Sequence, residues 1–305
     1  MFRGIITPIV TPFHRDDGQR INYEAAEELI EYVIANGVSG IFLLGSNGEF
    51  HVIDREEKIQ FVREAVKIVN GRVPVFAGPG ACSTQETVYL AKEMEAAGAD
   101  ALSVISPYFV QPTEEELYSH FRTVAESVKI PVILYNIPRL TGMNISAGLF
   151  DRLARQGCVA GIKDSSRSEE NLRAYLEVAK RNNLAVLVGS DGMIARGYRM
   201  GASGAIAGMS NVIPKHMCSL CRALEEHREQ DADELQQGVE AIRSVNKLGT
   251  MPSILKRALE LGKIAQAGPA RKPVKEPDAQ TDQEILKMLE YYHLLDRQEK
   301  GNGGK

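Results

Sequence analysis

Short apolar segments alternate with amphipathic segments along almost the whole chain, and this alternation limits the fold more than any other feature. Eight apolar segments of strand length recur at intervals of roughly 30 residues, at 4–8, 40–45, 74–80, 101–107, 131–138, 159–163, 185–189 and 205–208. Amphipathic helical patterns lie between most of them, at 23–36, 55–69, 84–97, 114–128, 147–156 and 168–182. Strands that alternate with helices predict a parallel sheet, and eight of them predict an α/β fold of the (β/α)8 TIM-barrel type.

An open doubly wound sheet is the competing architecture. That fold favours a glycine-rich turn after the first strand, but residues 7–12 read TPIVTP. We therefore expect residues 1–212 to form the barrel. Residues 213–298 are expected to add C-terminal helices that complete the barrel and pack as an appendage, and residues 299–305 to form a disordered tail. The helical patterns of this extension lie at 215–229, 231–247, 251–261 and 282–295.

Composition excludes several classes of function. The net charge of −4 provides no basic excess for nucleic acid, and no run of eighteen apolar residues or charged leader indicates a membrane span or export signal. We therefore expect a cytoplasmic protein. Among four cysteines, Cys218 and Cys221 form a CxxC within a helical pattern that has no second pair, so we interpret them as buried thiols and predict no metal site.

A lysine ends one of the buried strands. Residues 159–163 read VAGIK, and polar residues follow directly. Burial disfavours the ammonium form, so the pKa of Lys163 should fall, and the free amine can form a Schiff base with a ketone. The alternative is a lysine whose side chain extends to the surface at the strand end.

Two more features are expected on the same barrel face, because TIM barrels carry their active sites at the C-terminal ends of the strands. Tyr135 ends the strand that precedes the one with Lys163, so the phenol and the amine can converge and exchange protons. The loop at 45–49, GSNGE, has glycines that let backbone N–H groups approach a carboxylate. The alternatives are a tyrosine that covers the core and an ordinary tight turn.

Three motifs together resemble a known family. GSNGE at 45–49, YNIP at 135–138 and GIKD at 161–164 are similar to the dihydrodipicolinate synthase/N-acetylneuraminate lyase family of class I pyruvate aldolases. The resemblance extends from about residue 4 to residue 295. It implies a (β/α)8 barrel, a homotetramer built as a dimer of dimers, and a lysine that binds pyruvate as a covalent imine without any other cofactor.

The resemblance also implies roles for individual residues. Lys163 resembles the Schiff-base lysine, and Tyr135 the tyrosine that relays protons with help from Ser46. The remaining matches are Ser46 and Asn47 at the pyruvate carboxylate, Gly189 and Ile206 lining the pocket through their backbone, and Tyr108 near the subunit interface.

Three departures from the synthase pattern concern the second substrate. Asn47 replaces a threonine, Phe109 lacks the hydroxyl of the usual tyrosine, and Leu140 replaces an arginine that grips the aldehyde's carboxylate. The lost charge-assisted bond is worth roughly 1.5–3 kcal/mol, although Arg139 is adjacent and is the candidate replacement. Residues 48–50 and 140–142 are more similar to members that act on 2-oxo-3-deoxy sugar acids.

The sequence therefore predicts a Schiff-base pyruvate lyase or aldolase that cleaves or forms a 2-keto-3-deoxy sugar acid, with this small 2-oxo acid as its partner. Alternatives are 4-hydroxy-tetrahydrodipicolinate synthase, which joins pyruvate to aspartate semialdehyde, a sugar-acid dehydratase and N-acetylneuraminate lyase. A non-catalytic 2-oxo acid sensor is the alternative of another class. His14 and His51 are further candidates for substrate contact, whereas Asp164 is expected to make a structural contact.

Overall fold

Eight parallel strands close into a barrel in the computed structural model, which describes residues 2–295. The strands follow one another around the barrel in chain order, and the last pairs with the first. They are β1 Gly4–Pro8, β2 Gly40–Leu43, β3 Val75–Ala77, β4 Ala101–Ile105, β5 Val132–Asn136, β6 Gly161–Asp164, β7 Ala185–Val188 and β8 Gly204–Ile206. The predicted TIM barrel is confirmed.

Helices surround the barrel and extend the chain beyond it. Those that precede β8 are α1 Tyr23–Ala35, α2 Arg55–Val69, α3 Thr84–Ala96, α4 Glu114–Glu126, α5 Pro138–Thr141, α6 Ala147–Arg155, α7 Glu169–Asn182 and α8 Ile194–Met200. The C-terminal extension contains α9 Pro214–Glu225, α10 Glu229–Asn246, α11 Ser253–Leu261 and α12 Ala279–Tyr291. Short 3-10 helices lie at Phe50–Val52, Asp191–Met193 and Gly208–Asn211.

Local sequence accounts for many of these elements. Strands β4 and β5 are buried along their whole length, as parallel strands covered on both faces should be. Helix α4 begins at a capping box, in which the Thr113 hydroxyl accepts from the Glu116 N–H and the Glu116 carboxylate accepts from the Thr113 N–H. Burial of the strands and capping of the helix thus explain where these elements lie in the sequence.

Two helices were not predicted from the sequence. Helix α5 covers only four residues directly after β5, and α8 covers seven residues that include Gly197. Both are too short for a helical period to stand out. The predicted tail at 299–305 and the last residues of the predicted extension lie outside the described residues.

The barrel register determines which side chains meet at the C-terminal face. Tyr135 on β5 is paired with Lys163 on β6, and Lys163 is paired in turn with Leu187 on β7. All eight strands point the same way, so the loops that follow them gather at one end. The candidate site residues must therefore be sought at that end.

Candidate active site

Lys163 is a buried amine at the C-terminal end of β6. Its side chain is 4% exposed, which excludes the alternative of a lysine that extends into solvent. Burial lowers the pKa of Lys163 below its ordinary value, while the nearby Tyr135 phenol and Asp191 carboxylate oppose this shift. The site therefore favours a neutral, nucleophilic amine more than a surface position would.

Tyr135 lies beside this amine. The Lys163 Nζ is 3.7 Å from the centroid of the Tyr135 ring. The Tyr135 hydroxyl and the Ser46 hydroxyl are 3.1 Å apart and form a buried hydrogen bond in which either can donate. Amine, phenol and serine thus form one cluster, assembled from β6, β5 and the loop after β2, in which a proton can pass between hydroxyls.

The loop after β2 has an unusual backbone. Leu44 and Glu49 both adopt left-handed conformations, with φ of 59° and 57°. The carbonyl of Gly48 accepts a hydrogen bond from the buried Thr11 hydroxyl at 2.7 Å, so the loop after β1 holds this turn. The turn brings the partly exposed side chain of Asn47 next to the buried Ser46.

Glycines bring the neighbouring loops close to the same cluster. A Cβ on Gly189 would lie 3.1 Å from the Lys163 Cε, and one on Gly208 would lie 2.7 Å from the Asn47 amide nitrogen. Both are closer than an ordinary side-chain contact, so neither position has room for a larger residue without movement. Ile206, the other predicted pocket residue, is buried at the end of β8.

The predicted interface aromatics lie at the rim. Tyr108 is half-buried and packs edge-on against Phe50, with ring centroids 5.6 Å apart. Burial, together with Cys82, raises the pKa of Tyr108 to about 12, so it is protonated at neutral pH. Phe109 is 95% exposed and has a φ of 80°. Within residues 2–295, no hydrogen bond or ring contact joins either aromatic to Lys163 or Tyr135.

Arg139 and Leu140 both lie on the short helix α5, directly after β5. Both side chains are exposed. Among the described residues, no ion pair or hydrogen bond involves the Arg139 guanidinium. This cation is thus available to a ligand near the end of the strand that carries Tyr135.

Three other residues singled out in the sequence lie outside the cluster. Asp164 accepts hydrogen bonds from the Asn136 amide at 2.9 Å and the Ser166 hydroxyl at 2.9 Å, which confirms its structural contact. His14 is exposed in the loop after β1, and its backbone N–H donates to Arg20. The ring of His51 packs edge-on against Phe50. Within residues 2–295, no hydrogen bond or ring contact joins either histidine to Lys163.

Two residues that contribute to the site were not predicted from the sequence. The ring centroid of Phe42 is 5.0 Å from the Lys163 Nζ, and the ring packs edge-on against Tyr135. Asp191, three residues after β7, accepts a hydrogen bond from the Met209 N–H at 3.0 Å and acts electrostatically on Lys163. The position of Asp191 shortly after a strand could have identified it as a site residue from the sequence. Nothing in the sequence distinguishes Phe42 from the other aromatic residues of the core.

The described residues favour covalent carbonyl chemistry. A buried amine with a lowered pKa lies beside a phenol and a serine, and an exposed arginine stands near the rim. Between residues 2 and 295, no three His, Cys, Asp or Glu side chains group as metal ligands would. None of the helices described is both long enough and apolar enough to span a bilayer.

Comparison with known proteins agrees with this chemistry. The profile of the dihydrodipicolinate synthetase family matches residues 1–292. A 4-hydroxy-tetrahydrodipicolinate synthase of Methanoculleus marisnigri is 35% identical over 289 residues, which cover 95% of this chain and 99% of that protein.

Solved structures share the whole fold. A prophage protein of the dihydrodipicolinic acid synthase family from E. coli K12, in complex with pyruvate, is 31% identical with a TM-score of 0.91, covering 96% of this chain and 99% of its own. A monomeric dihydrodipicolinate synthase variant is 29% identical with a TM-score of 0.91, covering 96% and 98%. The chain thus belongs to the dihydrodipicolinate synthetase family of class I lyases, which hold pyruvate as a Schiff base on a lysine and use no external cofactor.

Proposed function

We propose that Lys163 is the Schiff-base lysine and that the chain catalyses an aldol reaction of pyruvate. The observation that carries this proposal is the buried Lys163 Nζ, 3.7 Å from the ring of a tyrosine whose hydroxyl is hydrogen-bonded to Ser46. The neutral amine attacks the C2 ketone of pyruvate, and the carbinolamine loses water to form a protonated imine. Tyr135 and Ser46 supply and remove the protons of these two steps.

The imine then provides the carbon nucleophile. It withdraws electrons from C3, so a C3 proton leaves and an enamine forms. The enamine C3 attacks the carbonyl carbon of an aldehyde, and water then hydrolyses the C=N bond of the resulting imine, which releases the product and restores the Lys163 amine. The reverse sequence breaks the same carbon–carbon bond and releases pyruvate. In both directions the turn at Ser46 and Asn47 holds the pyruvate carboxylate.

The synthase reaction with aspartate semialdehyde is the first candidate for the second substrate. The curated relatives named as 4-hydroxy-tetrahydrodipicolinate synthases favour it over the sugar-acid reaction that the sequence alone predicted. Arg139 supports it as well, because this exposed cation has no ion-pair partner among residues 2–295 and can bind the aldehyde's carboxylate.

Cleavage of a 2-keto-3-deoxy sugar acid is the second candidate. It is favoured by Leu140 and Phe109, which provide neither a charge nor a hydroxyl at positions where the synthase pattern has an arginine and a tyrosine. A polyhydroxylated aldehyde carries no carboxylate that needs a cation. Dehydration of the same acids and cleavage of N-acetylneuraminate would use the same imine and belong to this candidate's test.

Borohydride trapping tests the proposed lysine. Reduction in the presence of pyruvate should add the mass of the reduced pyruvate imine to a peptide that contains Lys163, as measured by mass spectrometry. Lys163→Ala should show no adduct, whereas Lys180→Ala, which removes an exposed lysine from α7, should show as much as the wild type. A wild type that is not labelled would refute the mechanism.

A substrate panel with two variants distinguishes the candidates. If aspartate semialdehyde is the substrate, Arg139→Ala should lower kcat/KM by roughly 10- to 100-fold, since a charge-assisted bond is worth about 1.5–3 kcal/mol. Leu140→Arg should raise it, and Arg63→Ala, on the exposed face of α2, should change nothing. The second candidate would be favoured if the protein released pyruvate from sugar acids and neither the wild type nor any variant condensed pyruvate with aspartate semialdehyde. An imine without turnover of any substrate would indicate a sensor.

The oligomeric state and compartment are further proposals. Phe109 and Val110 are 95% and 71% exposed, and such adjacent apolar side chains are typical of a surface that a second copy covers. This exposure supports the homotetramer that the family resemblance implies, while the monomeric synthase variant shows that the same fold also occurs in a single subunit. The cytoplasmic location stays a prediction.

A further inference from the structure

A buried ion pair lies directly behind the loop that is proposed to hold the pyruvate carboxylate. Glu49, the last residue of that loop, is 2% exposed, and its Oε1 accepts a hydrogen bond from the Lys256 Nζ at 2.9 Å. Its Oε2 accepts one from the backbone N–H of Arg271 at 2.8 Å. Both partners belong to the C-terminal extension, more than two hundred positions away in sequence.

The lysine of this pair is enclosed on every side. Lys256 lies on α11 and is 1% exposed, and its ammonium also donates to the Pro269 carbonyl at 2.8 Å. It lies 4.1 Å from the centroid of the Phe13 ring, and the Arg271 guanidinium lies 4.4 Å from the same centroid. The ammonium is thus held by a carboxylate, a carbonyl and an aromatic face.

The proposed mechanism gives this ion pair no role, yet it is costly to form. Two desolvated charges gain little net stability compared with apolar side chains of similar shape, because desolvation offsets their attraction. Burial lowers the pKa of Lys256 to about 8, although Glu49 opposes this shift. What the pair does provide is a defined position for the Glu49 carboxylate.

That position controls the turn that contains Ser46. The Glu49 N–H donates to the Ser46 carbonyl at 3.2 Å, so the ends of the four-residue turn are joined. Glu49 also has a left-handed backbone, with a φ of 57°, which costs free energy in any residue except glycine. The bonds from Lys256 and Arg271 hold Glu49 in this conformation, and Ser46 in turn is hydrogen-bonded to Tyr135.

We propose that Lys256 is a positioning residue that holds the 45–49 loop, through Glu49, in the geometry that binds the pyruvate carboxylate. This inference rests on the proposed function and adds to it a role for the C-terminal extension. Among residues 2–295, no hydrogen bond or ring contact joins Lys256 to Lys163 or Tyr135, so we expect Lys256 to act through Glu49. Loss of Lys256 should therefore weaken pyruvate binding more than it slows imine formation once pyruvate is bound.

The test measures borohydride-trapped adduct against pyruvate concentration, so that no second substrate is needed. Lys256→Met should raise the half-saturating pyruvate concentration by roughly 10- to 100-fold, the effect expected when a binding group moves by about 1 Å. The rate at saturation should change by less than about 3-fold. Arg257→Met is the matched control, since this adjacent residue on α11 pairs with Asp282 and, within residues 2–295, makes no hydrogen bond or ion pair with the 45–49 loop. It should leave half-saturation unchanged.

A double variant separates positioning from folding. Lys256→Met alone leaves the Glu49 carboxylate buried without its cation and can destabilise the protein. Glu49→Gln with Lys256→Met removes both charges and should recover the thermal midpoint while half-saturation stays high. The positioning role would be overturned if the double variant recovered both the thermal midpoint and the wild-type half-saturating pyruvate concentration. It would also be overturned if the half-saturating concentration were unchanged in the single or the double variant. A wild type that forms no adduct would instead refute the proposed function.

Discussion

At the scale of single residues, the site depends on one amine whose surroundings disfavour its charge. Lys163 is enclosed by the barrel, with the aromatic rings of Tyr135 and Phe42 on its sides. The Tyr135 phenol and the Asp191 carboxylate oppose the effect of burial but do not cancel it, so the pKa of Lys163 remains below 10.5. A neutral amine is thus present at a pH where surface lysines are charged.

The pH dependence of imine formation follows from this shift. Because the pKa of Lys163 is lowered, the neutral amine increases as pH rises and becomes half of the population at a pH below the ordinary value of 10.5. The initial rate of borohydride-trapped adduct at low pyruvate should therefore rise with pH and reach half of its maximum at a pH below 10.5. A rate that still increases in proportion to hydroxide near pH 10 would contradict the buried amine.

At the scale of elements, the backbone of the loop after β2 lies very close to the ring of Phe42 at Gly45. A Cβ on Gly45 would lie 2.6 Å from the ring of Phe42, and that ring is also part of the wall beside Lys163. One added methyl group would therefore push on the loop and on the amine together.

We expect Gly45→Ala to destabilise the protein by about 1–3 kcal/mol, as overpacked core substitutions do, and to slow adduct formation at Lys163. Thermal unfolding and trapping rates measure the two effects. Gly148→Ala in α6 is the control and should not lower the unfolding midpoint. The nearest atom to its added Cβ is 3.7 Å away, and alanine is more stable than glycine within a helix. Equal unfolding midpoints for both variants would show that the Phe42 ring can move to accommodate the added methyl group without loss of stability.

Many of the elements could be predicted from the sequence, whereas some contacts between distant elements could not. The eight strands, most helices and the meeting of Tyr135 with Lys163 could be predicted, because strand order in a barrel follows chain order and neighbouring strand ends converge. The bond from Lys256 to Glu49 could not, since neither residue has a local pattern that points to a partner 207 positions away. The left-handed backbone of Phe109 is also a product of its tertiary surroundings.

At the scale of the whole molecule, an apolar surface remains on the rim of the barrel. Phe109 and Val110 stand out from the loop after β4, next to the half-buried Tyr108. The left-handed φ of Phe109 costs free energy in the single chain, and burial against a second copy would offset that cost. Subunit association and the rim geometry are thus expected to be coupled.

Substitution of Phe109 tests this association. Phe109→Asp should shift the assembly towards smaller species in sedimentation velocity at micromolar concentrations, because a carboxylate cannot be buried there without a partner. Leu248→Asp, which changes another exposed apolar side chain in the segment between α10 and α11, should leave the assembly intact. If both variants sediment as the wild type does, Phe109 does not lie in an interface.

Closure of the sheet also has a consequence for synthesis. The first strand needs a neighbour on either side, and its second neighbour is the last strand, which begins at Gly204. A ribosome must therefore release every residue from β1 to β8 before β1 is covered on both edges, and until then the nascent chain carries unsatisfied N–H and C=O groups along β1. Lys256 emerges later still, so the 45–49 loop acquires its proposed support only after the last strand of the barrel has been released.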